Sequence, residues 1–278
     1  MRYDRVVCVL SGGGAKAAAQ VGAHRALEER GVTPFHYVGT SMGAVVAACF
    51  ASGLPYDEVL RRITSVSRRD VAGLAPGALL GFFGESLLRD TPLRETIAAL
   101  VPARRFEDLM RPLTVTAVDA ANGELVLFGA GGRPDVPLAE ALYASCALPL
   151  YYPPGLIGDR SYVDGGLRAV LPLEVGASFE PDALFAVMVG PSMHDAPPEN
   201  GAKGPGLIRA HNRAVRILMA AQTESLLARW RRDESVPTIQ VQPSLDQEAT
   251  FAVASASRYV EEGYRAASRA LLDWDRRA

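Results

Sequence analysis

The stretch "RVVCVLSGGGAKAAAQVGAHRALEERGVTPFHYVGTSMGAVVAACFASG", residues 5–53, decides how the fold is read. "RVVCVL" (5–10) is a short β-branched apolar run, the mark of a buried strand. Three glycines follow, and then "AKAAAQVGAHRALEERG", where small and apolar residues recur at helical spacing and Gly31 supplies a stop signal. "FHYVGT" (35–40) is a second strand. "AVVAACFAS" is a helix of small residues ended by Gly53, suited to close packing on a sheet. Strand, helix, strand, helix in that order implies a βαβ unit and a parallel sheet.

Working outward, residues 57–110 read as mostly helical around an apolar, Gly- and Pro-rich centre, "VAGLAPGALLGFFGESLL" (71–88). That centre has two readings. It is a core helix pair with a glycine-rich bend, or an apolar flap in which Leu79, Leu80, Phe82 and Phe83 admit acyl chains. "LTVTAVDAANGELVLF" (113–128) is a hairpin turned at Asn122-Gly123. A short helix runs into a proline-broken loop at "ALYASCALPLYYPP" (141–154), and "ALFAVMVG" (183–190) is another buried strand. "PSMHDAPPENGAKGPG" (191–206) has loop composition. A long amphipathic helix from Leu207, a last strand at "TIQVQP" and a closing helix complete the chain. With neither repeat nor dividing linker, residues 1–278 are expected to form one α/β domain, a mainly parallel central sheet with helices on both faces.

Composition narrows the function classes. Hydrophobic residues make up 49% of the chain and charged residues 22%, which suits a packed globular core. A formal net charge of −2 gives no electrostatic case for nucleic acid. Cys8, Cys49 and Cys146 are odd in number, far apart and set in apolar runs. They are expected as buried free thiols in a reducing compartment rather than as a metal or redox pair. The first apolar run is too short for a signal peptide, and "MGAVVAACFASGL" falls short of the roughly 20 residues that span a bilayer. A cytoplasmic protein is expected, with contact at a membrane surface left open, as is its oligomeric state.

Gly39, Ser41 and Gly43 spell G-x-S-x-G, a turn that lifts a serine out of a strand-to-helix corner toward a carbonyl. A serine hydroxyl needs a base beside it. His36 reads as a strand residue, His24 as a helix-face residue and His211 as a solvated one. His194, in a loop beyond both Ser41 and Asp164, completes the Ser–acid–His order of an α/β-hydrolase triad. Against a triad, Ser41 follows only the second visible strand. Asp164 of "VDGG" (163–166) is the other candidate base, although Asp-Gly is also a common hairpin turn.

The loop "SGGGAKAAA" fails as a phosphate-binding Walker sequence, because Ala17 follows Lys16 where Ser or Thr is needed. A dinucleotide fingerprint wants an acid near the end of the second strand, and "VTPFHYVGT" offers none. What remains is anion stabilisation: glycine amides at a helix start, reinforced by the helix dipole, suit a tetrahedral oxyanion. If the two strands pair in parallel, this helix start and the one after Ser41 become neighbours at the carboxyl edge of the sheet.

Four ordered blocks, "SGGGAKAAAQVGAHRALEERGV", "GTSMGAVVAACFASG", "ASCALPLYYPP" and "YVDGGL", resemble those of the patatin-like phospholipases. The resemblance implies a lipid acyl hydrolase with a serine–aspartate dyad and neither metal nor cofactor. Ser41 would be nucleophile and Asp164 base, Gly12, Gly13 and Gly14 would form the oxyanion hole, and Lys16, Gly39, Gly43, Gly165 and Gly166 would support the motifs. The substrate implied is a lipid ester, phospholipid or lysophospholipid. Ala17 departs from the pattern, which usually has glycine after the basic residue. A non-catalytic binding protein on the same fold is the further alternative.

Overall fold

The computed structural model of the chain describes residues 4–74, 86–192, 205–233, 236–245 and 251–276. The elements are β1 (Val6–Leu10), α1 (Ala18–Glu28), β2 (His36–Thr40), α2 (Met42–Ala51), α3 (Tyr56–Ser65), α4 (Arg68–Val71), α5 (Asp90–Leu100), β3 (Leu113–Asp119) and β4 (Leu125–Gly129). They continue with α6 (Leu138–Cys146), β5 (Gly155–Ile157), β6 (Arg160–Asp164), α7 (Leu173–Ala177), β7 (Ala183–Val187), α8 (Gly206–Asp233), β8 (Thr238–Val241) and α9 (Ala256–Asp275).

All the strands join one sheet in the order β5-β6-β3-β2-β1-β7-β8, with β4 also on β3. The run from β3 through β2, β1 and β7 to β8 is parallel, and β4, β5 and β6 add antiparallel pairings at one end. The centre of such a sheet is covered on both faces, so its strands are apolar throughout rather than alternating. β1 shows this: all five of its residues are buried. Val6, Cys8 and Leu10 pack into a cluster with residues of α1, α2 and α9, and Val7 and Val9 into a second cluster with Leu173 of α7 and Leu227 of α8. Each fully buried Val or Leu contributes roughly 1.5–3 kcal/mol. The result is three layers, α/β/α.

The helices sit close to the sheet because their contact residues are small. A Cβ at Gly22 would overlap the Val260 carbonyl of α9, and one at Gly263 would overlap the Ala19 carbonyl of α1. Gly123 closes the β3–β4 hairpin at φ +73°. Two short elements, β5 and α7, are additional to the expected ones. The segment containing Leu79, Leu80, Phe82 and Phe83 lies outside the described residues, as does His194.

Candidate active site

Ser41 and Asp164 are 123 residues apart in sequence, and strand register brings them together. Thr40, the last residue of β2, pairs with Thr116 of β3. Asp164, the last residue of β6, pairs with Ala117, the next residue along β3. β2 runs parallel to β3 and β6 antiparallel, so the two strand ends meet. There the Ser41 hydroxyl donates to Asp164 Oδ2 at 2.7 Å.

The serine is held in a conformation few residues adopt, φ 55° and ψ −135°, between β2 and α2. Backbone in such a region costs on the order of 1–3 kcal/mol and persists only where its surroundings enforce it. Here they do. A Cβ at Gly39 would meet Ala44, and one at Gly43 would overlap the Ser11 carbonyl, so only glycine lets the chain turn this sharply against β1. From α6, the buried Ser145 hydroxyl accepts the Ser41 amide at 2.8 Å, which fixes the corner. No property of Ser145 in the sequence distinguishes it from a packed helix residue, and its part was missed there.

"VDGG" is not a hairpin turn. β6 ends at Asp164, and Gly165–Leu167 form one turn of 3-10 helix that Asp164 caps, its Oδ1 accepting the Gly166 amide at 2.7 Å. A Cβ at Gly165 would overlap Thr116, so glycine is needed there too. Both carboxylate oxygens are thus engaged, and the group is only 5% exposed. Burial raises its pKa to about 6 against the pull of the Gly166 amide and the Ser41 hydroxyl, which lower it.

The glycine loop follows β1, which pairs in parallel with β2, so the two helix starts are neighbours. A Cβ at Gly12 would lie 3.3 Å from that of Ser41. The Gly12 amide is engaged, however: it donates to the Val170 carbonyl at 3.0 Å. It is therefore not available to an oxyanion, which corrects the expectation for that residue. Gly13 and Gly14 have no amide acceptor among the described residues, and they open the 3-10 turn (Gly14–Ala17) that leads into α1. Gly14 has φ 58°, which glycine tolerates, and a Cβ on Gly13 would press on the Val189 carbonyl at 2.7 Å. Ala17 sits at φ −58° and ψ −19°, a right-handed helical conformation open to any residue, so its departure from glycine requires no rearrangement. Lys16 is buried, its Nζ 3.5 Å from the Gly190 carbonyl, and it fastens the loop to the chain after β7.

The described histidines lie elsewhere. His24 lies on the buried face of α1, bonded to the Tyr37 hydroxyl at 2.8 Å and stacked on Phe50. His36 is buried against Phe179 and Thr114, and burial pushes its pKa down to about 4. His211 is half-buried on α8 rather than solvated. The three cysteines are free and buried, and burial raises each thiol, Cys49 to about 12. A cleft of about 590 Å³ between α3, α4 and α5, lined by Arg62, Asp70 and Glu95, contains neither Ser41 nor Asp164.

A serine on a strained strand-to-helix corner, bonded directly to a buried aspartate beside a glycine loop, stands at one edge of the parallel sheet of an α/β/α fold. Residues 8–176 match the sequence profile described as patatin-like phospholipase, and the chain belongs to that family. An NTE family protein of Mycobacterium tuberculosis (strain ATCC 25618 / H37Rv) is 31% identical over 216 residues, covering 78% of this chain and 57% of its own length. Patatin-like phospholipase domain-containing protein 7 of Rattus norvegicus is 29% identical over 190 residues, covering 67% of this chain and 14% of its own length. This chain thus spans little more than half of the mycobacterial relative and a small part of the rat one. The crystal structure of VipD from Legionella pneumophila overlays with a TM-score of 0.51 at 15% identity, covering 98% of this chain and 67% of that one, a likeness of fold alone.

Proposed function

We propose that residues 1–278 act as one lipid acyl hydrolase domain that cleaves fatty acyl esters of a phospholipid or lysophospholipid through a Ser41–Asp164 dyad. The observation that carries this reading is the direct 2.7 Å bond from the Ser41 hydroxyl to a buried carboxylate. Ser41 attacks the acyl carbonyl and its proton passes to Asp164 Oδ2. The oxyanion is held by the amides of Gly13 and Gly14. Asp164 returns the proton to the departing alcohol or lysolipid, leaving an acyl-enzyme. Water then attacks the acyl carbonyl, Asp164 takes its proton, and the fatty acid leaves as Ser41 is reprotonated. In water an ordinary carboxylate is a weak base for an alcohol, and burial strengthens this one.

Dyad and triad make different demands on space. A triad histidine stands between serine and acid, bonded to both. Here serine and acid touch, and the second carboxylate oxygen holds Gly166. That arrangement favours the dyad over the His194 triad, and an intact bonded pair favours an enzyme over a binding protein on the same fold. The three free thiols suit a cytoplasmic setting. The test is fatty acid release from a panel of phospholipids and lysophospholipids with Ser41→Ala as blank. Release by the parent and none by the variant is the expected result; equal release from both overturns the assignment.

A further inference from the structure

Valine and threonine are close in shape, and either suits the centre of a buried strand. Thr40 of β2 and Thr116 of β3 are Cα partners, both 0% exposed, on the face of the sheet where Val7, Val9 and Val38 form an apolar cluster. A hydroxyl buried in such a place costs free energy unless it is hydrogen-bonded. Two valines would serve packing alone, so the hydroxyls serve something else.

Their bonds show what they hold. Thr40 Oγ1 donates to the Ala169 carbonyl at 2.8 Å. A hydroxyl has one proton, so in the 2.7 Å bond between the two side chains Thr116 Oγ1 donates and Thr40 Oγ1 accepts. The bonds therefore run in one direction, from Thr116 through Thr40 to Ala169.

Ala169 belongs to the turn that follows Asp164. The amides of Arg168 and Ala169 donate to the Gly165 carbonyl at 3.0 and 2.9 Å, which ties residues 165–169 into one unit. Gly165 lies directly on Thr116, where a Cβ would come within 2.4 Å of Oγ1, and a Cβ on Gly166 would lie 3.9 Å from the Thr40 methyl. Within that unit the Gly166 amide holds Asp164 Oδ1 and leaves Oδ2 to Ser41. From α6 come main-chain braces: Ser145 accepts the Ser41 amide, and the Ala147 carbonyl accepts the Asp164 amide at 3.1 Å. The helix thus fixes the backbone of both residues. The direction of the carboxylate is set by the turn, and the turn is fastened to Thr40, the residue next to Ser41.

We infer that the hydrogen bonds linking Thr116, Thr40 and Ala169 form a clamp that aims the Asp164 carboxylate at Ser41, which makes Thr40 and Thr116 positioning residues of the hydrolysis. The inference rests on the dyad reading of that reaction, and its test includes an arm that does not depend on turnover. Thr40→Ser and Thr40→Ala both remove the side-chain methyl and differ from each other only in the hydroxyl. Each is compared with the parent on a short, soluble ester, at a temperature where circular dichroism shows all three folded. Thr40→Ser should stay close to the parent. Thr40→Ala should lower kcat by about tenfold to 10²-fold, the scale of a misplacement of up to about 1 Å at the reacting groups, and leave KM nearly unchanged. Thr116→Ser and Thr116→Ala repeat the comparison one bond further from the turn, and they decide the matter if Thr40→Ala does not fold. The double alanine variant should lose less than the product of the two single losses, because both hydroxyls act through the same bonds.

In the Ser41→Ala background, amide hydrogen exchange is read on the peptide carrying Arg168 and Ala169. Exchange there should be faster with Thr40→Ala than with Thr40→Ser. Equal loss of kcat in the serine and alanine variants, a folded Thr40→Ala with the kcat of the parent, a loss confined to KM, or exchange that does not distinguish the two variants each overturns the inference. Undiminished turnover by Asp164→Asn would instead count against the dyad, while exchange still decides whether Thr40 holds the turn.

Discussion

Replacing Asp164 with Asn should remove activity and stabilise the fold at once. Asn fills the same space, can still accept the Gly166 amide and can donate to Ser41 Oγ, but it cannot take a proton. Turnover should therefore fall by several orders of magnitude. The stability effect follows from burial. The Asp164 carboxyl ionises near pH 6 in the folded chain and near 3.8 when exposed. At 1.36 kcal/mol per tenfold, that difference penalises the ionised folded state by roughly 3 kcal/mol. Between those two pH values the folded state holds a proton that the unfolded state has released, so stability declines as pH rises through the window and stays lowered above it. Below pH 3.8 the group is protonated in both states and the penalty is absent. Asn carries no such penalty at any pH. Melting curves of parent and variant should thus differ at pH 8, with the variant higher by roughly 5 °C or more for a chain of this size. They should converge toward pH 4. A variant no more stable than the parent at pH 8, a gap that does not close in acid, or a folded variant with near-normal turnover would each refute the reasoning.

The remaining predictions concern the corner, the loop, the pH profile and the histidines. Ser145→Ala leaves the buried Ser41 amide without its acceptor, so the protein should lose about 1–3 kcal/mol and kcat should fall with little change in KM; steady-state kinetics at matched folding would show otherwise if Ser145 only packs. Gly13→Ala forces a Cβ against the Val189 carbonyl and displaces the loop, and turnover should drop by about 10²- to 10³-fold, as for loss of an oxyanion donor. The kcat/KM of the parent on a soluble ester should rise with pH to a plateau with a midpoint near 6, since the base must be ionised; a flat profile between pH 5 and 8 would exclude Asp164 as base. His194→Ala should stay within about tenfold of the parent, roughly 1.4 kcal/mol in barrier, whereas complete loss in a folded protein would restore the triad.

Much of this arrangement was legible because it is local. The alternation of strand and helix through residue 53, the glycines around Ser41 and the Asn122-Gly123 turn all act within a few residues of themselves. What escaped the sequence depends on distant partners. The Gly12 amide is occupied because the chain after Asp164 returns to place Val170 beside it, and no feature of "SGGG" records that. Ser145 acts on a residue 104 positions away. The partners that bury His24 on its helix face, Tyr37 and Phe50, are brought to it by the sheet and by α2. β5, at three residues, is too short to show a period and exists only as the partner of β6.

The most direct test of the central claim is to trap the acyl-enzyme. The parent protein is mixed with a phospholipid of defined acyl chains and quenched in acid within the first turnover, and its peptides are weighed. The peptide carrying Ser41 should gain the mass of one fatty acyl group, and the same peptide from Asp164→Asn should gain none. Fatty acid release with no adduct at Ser41, or an adduct of equal yield without Asp164, would contradict the account.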